Sequence, residues 1–378
     1  MQFIHDLEEV MVFLHHLDKR GKIMSNNDIE NFKYLDNLIH SGAKEIVLNS
    51  DIVLDDDEES QYLNGIELDV DELTIDGNGH AIDARRLTRI FFCTGKNIII
   101  KNIILKNGFT TWNGGAIYNT EGALTITESA LTENTAKFDG GAINNYEGEL
   151  TIIESALTEN TASYGGAINN DWDGELTIIE YALTENTAKF DGGAINNSWN
   201  GELTIIESAL NNNTSQEGAG GAIYNEEGAL TIIESALNEN TSQEGVGGAI
   251  HNSGELTITE STLTGNTAQD DGGAINNDEG GELTIIESAL NNNTSQEGVG
   301  GAIYNRNVLT ITESTLNENT AGSGGAIYNR NELTLTESTL INNASGAGGA
   351  ICLYYTKYGS ENCTFKGNEP DDVYEKKD

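Results

Sequence analysis

The chain has 378 residues, a formal net charge of −42 from 61 Asp and Glu against 19 Lys and Arg, 43 glycines and a single proline. A phosphate backbone would be repelled by that charge, and no basic stripe offsets it, which argues against nucleic acid as a partner. Apolar residues keep a regular spacing that a disordered acidic chain lacks, and no run nears the roughly 18 apolar residues of a membrane-crossing helix.

Residues 1–43 read as a helical N-terminal segment and cap. Ile4, Leu7, Val10, Met11, Leu14 and Leu17 have helical spacing. The acidic start, and a short apolar core interrupted by His15 and His16, do not make a clear signal peptide. A second, amphipathic helix is expected over residues 28–43, with Phe32, Leu35, Leu38 and Ile39 on one face. Laid across the first coil, it would cover an edge that otherwise pairs with other chains. Residues 44–113 follow as the irregular first coils, around residues 45–54, 65–84 and 89–108.

Residues 114–351 are a tenfold repeat. Gly-Gly-Ala-Ile occurs ten times, from Gly114 to Gly348, at intervals of 24 to 28 residues. Each unit continues through a polar turn to Glu-Leu-Thr-Ile-Ile-Glu-Ser, then to Ala-Leu-Thr-Glu-Asn or a close variant. The segments are short, rich in Ile and Thr, alternate with period two, and are separated by Gly and Asn, which marks strands. Three strands and three turns per unit match one coil of a right-handed parallel β-helix, with coils about 4.8 Å apart. The expected fold class is therefore all-β: a single-stranded solenoid of roughly 12 to 13 coils, on the order of 60 Å long. Leu124 and Ile126 point inward and Thr125 and Thr127 outward, and Ile117, Leu131 and Ala136 complete that coil's interior.

Two asparagine columns are expected to be structural ladders. One comprises Asn119, Asn145, Asn170, Asn197, Asn225, Asn252, Asn277, Asn305 and Asn329; the other Asn134, Asn160, Asn186, Asn213, Asn240, Asn266, Asn293, Asn319, Asn343 and Asn368. An Asn side chain both donates and accepts, so stacked copies bond along the axis, and Asn tolerates the left-handed backbone of sharp corners. The Gly pair is expected to turn the remaining corner with positive φ.

Residues 352–378 make the last coil and C-terminal cap. Phe365-x-x-Asn368 keeps the corner, and Pro370 with the charged tail is expected to stop the stacking. Cys93, Cys352 and Cys363 form no disulfide framework; Cys352 and Cys363 share a coil, either paired or as two free thiols.

Three outward features bear on function. Glu128 and its equivalents to Glu337 form an acidic column, and between Gly114 and Ala347 35 acidic residues face four basic ones. This reads as a solvated face, with weak divalent-cation binding as the sharper alternative. Thr125 and its equivalents to Thr334 run beside a second Thr or Ile column, a flat face that satisfies β-propensity and could also meet a partner or ordered water. A catalytic centre needs groups unlike their surroundings, and the repeats are nearly uniform. The only such candidates lie before them: Asp76, His80, Asp83, Arg85, Arg86, Arg89 and Lys101. The run Asp-Gly-Asn-Gly-His-Ala-Ile-Asp reads more plainly as corner chemistry. No catalytic residue, cofactor or metal site is expected.

The recurring Gly-Gly-Ala-Ile and Leu/Phe-x-x-Asn elements resemble the repeats of chlamydial polymorphic outer-membrane proteins. LTIDGNGHAIDA, NIIIKNIILKNG and FKGNEPDDVY resemble adhesin-like β-helix proteins of methanogenic archaea, and the likeness spans about residues 28–374. It implies a pectate-lyase-like superhelix and a role in attachment at a cell surface or outside the cell. The families' membrane barrel, wall anchor and export signal are not evident in the sequence. The expected function is a non-catalytic, adhesin-like surface scaffold, a monomer, that meets a glycan or protein partner. The alternatives are a carbohydrate-active enzyme (polysaccharide lyase or glycoside hydrolase) on the same fold, or a purely structural spacer.

Overall fold

The computed structural model describes residues 29–376; the helix expected within residues 1–17 lies outside them. Alternation sets the architecture. Along Glu149–Ile153, Leu150 and Ile152 are inside while Glu149, Thr151 and Ile153 face out. The strand pairs in parallel with Glu175–Ile179 one coil later, Leu150 opposite Leu176 and Ile152 opposite Ile178. The same in-register pairing repeats along the molecule and makes a parallel β-solenoid of about 13 turns. Its aliphatic columns merge into one core running from Phe32 to Leu353.

The repeat coils have four sides, the fourth reduced to single bridges at Thr320 and Ala344. The first is the Ile-x-Asn face, typified by Ile143–Tyr146; the second the Leu-Thr-Ile face, typified by Glu149–Ile153; the third the Leu-x-x-Asn face, typified by Ala156–Thr158. These sheets have 13, 13 and 14 strands. A fourth sheet of eight two-residue strands, Phe109–Thr110 to Thr294–Ser295, occupies what the sequence reading took as a turn. There the chain stays extended because Ala136, Ala162 and Ser215 still point into the core.

Both asparagine ladders are present and buried, but they do not turn the corners. In the first, Asn145 Nδ2 donates to Asn170 Oδ1 at 2.8 Å, and the chain of bonds runs from Asn119 to Asn329. In the second, Asn186 offers both its backbone N–H and its Nδ2 to Asn213 Oδ1, each at 3.1 Å, and this repeats from Asn134 to Asn368. The left-handed residues are instead the Glu of the acidic column (Glu154 φ 46°, Glu234 φ 48°) and the residue before each second-ladder Asn, such as Glu159. The reason is directional: an Asn that must aim inward at the next coil keeps extended backbone, so a neighbour takes the turn. Glu pays roughly 1–2 kcal/mol for that conformation.

A serine ladder accompanies them. Ser235 Oγ donates to Ile233 O at 2.7 Å and accepts the Ser208 N–H at 3.0 Å. Tyr181 interrupts this ladder, fully buried, with a hydroxyl that has no partner among the described residues. The Gly pair behaves as expected: Gly192 has φ 65°, and a Cβ on Gly193 would lie 2.0 Å from Gly221 O.

Helix α1, Phe32–Ile39, buries Phe32, Leu35 and Ile39 on the first coil, with Leu38 only partly covered. Asn31 caps it, and the carboxylate of Glu58 accepts the Phe32 and Lys33 N–H groups. At the far end, Pro370 and the charged tail do not stop the stacking. Val373–Lys376 pairs with Ile351–Tyr354, because Pro370 lies in the turn and leaves the following N–H groups free to bond. The three cysteines are free thiols, with Cys93 and Cys352 buried.

Asn213→Ala strips partners from the Asn186 N–H and the Leu183 carbonyl. At about 1–3 kcal/mol per orphaned buried group, it should cost about 3 kcal/mol or more. Hydrogen exchange should quicken in the coils of Asn186 and Asn240 and little elsewhere, since each coil touches only its neighbours. The exposed Thr334→Ala should change stability by less than about 0.5 kcal/mol.

Candidate functional site: an aromatic-rimmed groove on the Ile-x-Asn face

The middle residue of each strand on this face points outward, and its identity changes along the axis. Rings stack in register at Phe92 on Tyr118 (5.5 Å between centroids), Tyr224 on His251 (4.9 Å) and Tyr304 on Tyr328 (5.8 Å). Between the first two pairs stand Asn144, Asn169 and Asn196. They form a short third ladder, Asn196 Nδ2 to Asn169 Oδ1 at 2.6 Å and Asn169 Nδ2 to Asn144 Oδ1 at 2.8 Å. Smaller than the rings on either side, they make a floor.

The flanking turns raise two rims over it. Before the Gly pair come Trp112, Phe138, Tyr164 and Phe190, with Trp112 against Phe138 at 5.8 Å and Tyr164 against Phe190 at 5.3 Å. After the Ile-x-Asn strand come Tyr146, Trp172 and Trp199, with the two indoles stacked at 5.4 Å and 12°. The corresponding turns between residues 201 and 350 carry no aromatic residue.

Trp172 and Trp199 are 47% and 55% exposed, and they adopt φ of 52° and 51°. A bulky side chain with positive φ is an outlier that the scaffold must hold in place. The fold does not call for tryptophan here, since Glu147 and Glu227 take left-handed φ in the equivalent turns of neighbouring coils.

Trp199, Tyr164 and Tyr224 wall a cavity of about 210 Å³ whose polar lining includes Asn169, Asn196, Ser198 and the carboxyl groups of Asp139, Asp171, Asp191 and Glu226. Among the described residues none of the four is ion-paired with a base. Burial pushes the Asp171 carboxyl up to about 6, opposed by a hydrogen bond from the Trp172 N–H and reinforced by repulsion from Asp139. Asp139 and Asp191 are raised, chiefly by burial, the latter although the Ala219 N–H donates to it at 2.8 Å. Glu226 is raised by burial and then by Glu227 and Asp191.

The groups singled out before the repeats do not assemble. Lys101 pairs with Asp76 at 3.4 Å on the Leu-Thr-Ile face, and Lys106 with Asp83 at 3.7 Å on the Leu-x-x-Asn face. His80 meets Asp51, Arg85 meets Asp56, and Arg86 reaches Glu133. Arg89 is buried, donating to the carbonyls of Asn64, Asn113 and Gly114 with its guanidinium 5.3 Å from the Tyr118 ring. Burial lowers it to about 10. The Asn ladders lie inside the solenoid, out of reach of a ligand, while most of the Glu column is exposed at an outer corner. Sequence reasoning missed the groove. Its legible signals were tryptophans in two otherwise polar turns, Asp-Trp-Asp-Gly and Ser-Trp-Asn-Gly, and Asn where other coils carry Tyr or His.

Among known families, the Chlamydia polymorphic membrane protein repeat matches residues 260–278 and 313–330. Each stretch runs from the Glu-Ser corner through Leu-x-x-Asn to the end of an Ile-x-Asn strand, which bears out the resemblance for those coils. No curated protein and no solved structure matches the chain. Among the described residues no helix is long and apolar enough to cross a membrane.

Asp171 provides a test of the groove's electrostatics. Its native value lies above the ordinary 3.8, so between about pH 4 and 6 the folded state holds a proton that the unfolded state has released. Its contribution to stability therefore falls as pH rises through that window and levels off above it. Asp171→Asn mimics the protonated form. It should melt higher than the parent at pH 7.5, with the gap narrowing towards zero by about pH 3.5 in paired thermal melts.

Proposed function

We propose that this chain is a non-catalytic, adhesin-like surface scaffold that engages a partner through its Ile-x-Asn face. The observation that carries the reading is the exposed pair Trp172 and Trp199, held at positive φ over a polar groove on an otherwise repetitive solenoid. Exposed aromatic residues without a packing role in the scaffold are typical of binding surfaces, where rigid rings give large contact area at small entropic loss. The Chlamydia polymorphic membrane protein repeats in two coils suggest an outer-surface location.

A second reading has an observation of its own. Asp139 and Asp191 stand two coils apart on one rim, about 9.6 Å by coil spacing, with Asp171 across the floor. Paired carboxyl groups about 6.5–9.5 Å apart, one of them held protonated, are the equipment of an inverting glycoside hydrolase; the coil spacing sets this pair at the upper edge of that range, and burial raises both groups. The scaffold reading is favoured because the rest of the chain spends its outward positions on long, regular faces, as an attachment surface would.

Microspheres coated with the purified chain should attach saturably to target cells or glycan-coated surfaces, while incubation with the same polysaccharides releases no reducing ends. Release of reducing ends that disappears in Asp171→Asn would overturn the scaffold reading in favour of the hydrolase.

A further inference from the structure

The cavity under Trp199 combines three kinds of lining that one ligand chemistry satisfies together. Trp172 covers one face of the Trp199 indole, and the other turns towards the next coil, where Glu226 and Glu227 follow and no ring continues the stack. Tyr164 on the opposite rim and Tyr224 at the downstream end complete an aromatic wall. Asn169, Asn196 and Ser198 supply neutral donors and acceptors. Asp139, Asp171, Asp191 and Glu226 supply only negative charge, with no basic side chain in the lining to balance it.

Each lining excludes something. Anionic glycans are repelled by the four carboxyl groups and by a chain of net charge −42. A wholly neutral sugar satisfies the ring wall and the amides but leaves desolvated carboxylates without compensation. A bare metal ion has no use for the indole and tyrosine rings. A pyranose bearing an ammonium group uses all three: its C–H face packs on the open indole, its hydroxyls meet the amides and Ser198, and its charge is taken up by the carboxylates and ring faces.

We infer that the groove around Trp199 is a binding site for glycans carrying free amino sugars. The site deepens the scaffold reading by naming the partner's chemistry, and it rests on that reading. It needs no bond to form or break, and one or two sugar units fill it.

Calorimetric titration of the full chain with a β-linked glucosamine disaccharide tests it, with the N,N′-diacetylated disaccharide and cellobiose as neutral controls of similar shape. The short ligand limits the general attraction a polycation would feel for an acidic protein. The amine form is expected to bind at least tenfold more tightly than either control at pH 6, and less tightly as salt is added. Trp199→Ala should weaken it tenfold or more without altering the net charge, and Asp191→Asn should weaken it similarly while removing one charge of many; unchanged thermal melts would show that both variants are folded. Exposed Glu287→Gln, far along the axis, should leave binding unaltered. Equal affinity for the acetylated or neutral disaccharide, no binding of the amine form, or binding indifferent to Trp199→Ala would overturn the assignment. If coated microspheres still attach to cells while the glucosamine disaccharide does not bind, this assignment falls and the scaffold reading stands. If the disaccharide binds but coated microspheres attach to nothing, the scaffold reading falls and the site remains.

Discussion

Asn213 donates its Nδ2 to the side chain of Asn240 and accepts two hydrogen bonds from Asn186, and the rungs between Asn134 and Asn368 do the same. Coil-to-coil register is the constraint on which the rest of the molecule depends. Backbone ladders alone hold strands in parallel but do not choose between registers. The inward leucines and isoleucines forbid a one-residue slip, which would turn a column into water. The Asn rungs add a directional requirement, since each buried amide has its partners only when the next Asn lies directly above it. Stacked glycines enforce the same spacing from another corner, where Gly193 leaves no room for a Cβ beneath Gly221.

The solenoid and its columns were legible because they are encoded redundantly. Ten copies of Gly-Gly-Ala-Ile and of Leu/Phe-x-x-Asn allow an inward or outward assignment at one coil to be checked at nine others. The errors came where an assignment rested on one residue's general habits. Asn was credited with the left-handed corners because it tolerates them, whereas its side chain was needed inside and Glu154 or Glu159 took the turn. Pro370 was taken to end the sheet, whereas a proline in the connecting turn leaves the next strand intact. The fourth side was missed because two residues are too few to show alternation: Ala136 reads as interior from the sequence, and the pairing of Phe109–Thr110 with Thr135–Ala136 is what makes that side a sheet.

The candidate site was less legible for a related reason. A search for function that looks for groups outside the repeats finds Asp76, His80 and Arg86, which the solenoid then places on different sides with separate ion-pair partners. The groove is assembled instead from substitutions inside the repeats, each modest by itself. Asp139, Asp171, Asp191 and Trp199 are scattered over 60 positions of sequence, yet they converge because stacking brings equivalent turns about 4.8 Å apart. Their proximity is a property of the coil period and becomes visible once the units are superimposed turn by turn.

That arrangement explains how a nearly uniform scaffold can carry a local site at little cost to its core. The Trp172 and Trp199 turns each hold one residue more than the equivalent turn at Glu147, while Ile168, Leu176, Ile178 and Leu183 keep their places in the columns. Insertions and bulky residues are absorbed outside the register that the ladders defend. Positive φ at the two tryptophans and desolvation of three aspartates are local liabilities, of order 1–3 kcal/mol for each strained residue, which the indole stack and the Ala219 N–H on Asp191 offset only in part. A solenoid tolerates such a concentration because its stability is summed over many equivalent interfaces. The same property limits where a site can arise: a groove needs adjacent coils to depart from the consensus together, and on the Ile-x-Asn face the coils that depart together are those carrying Asn144, Asn169 and Asn196.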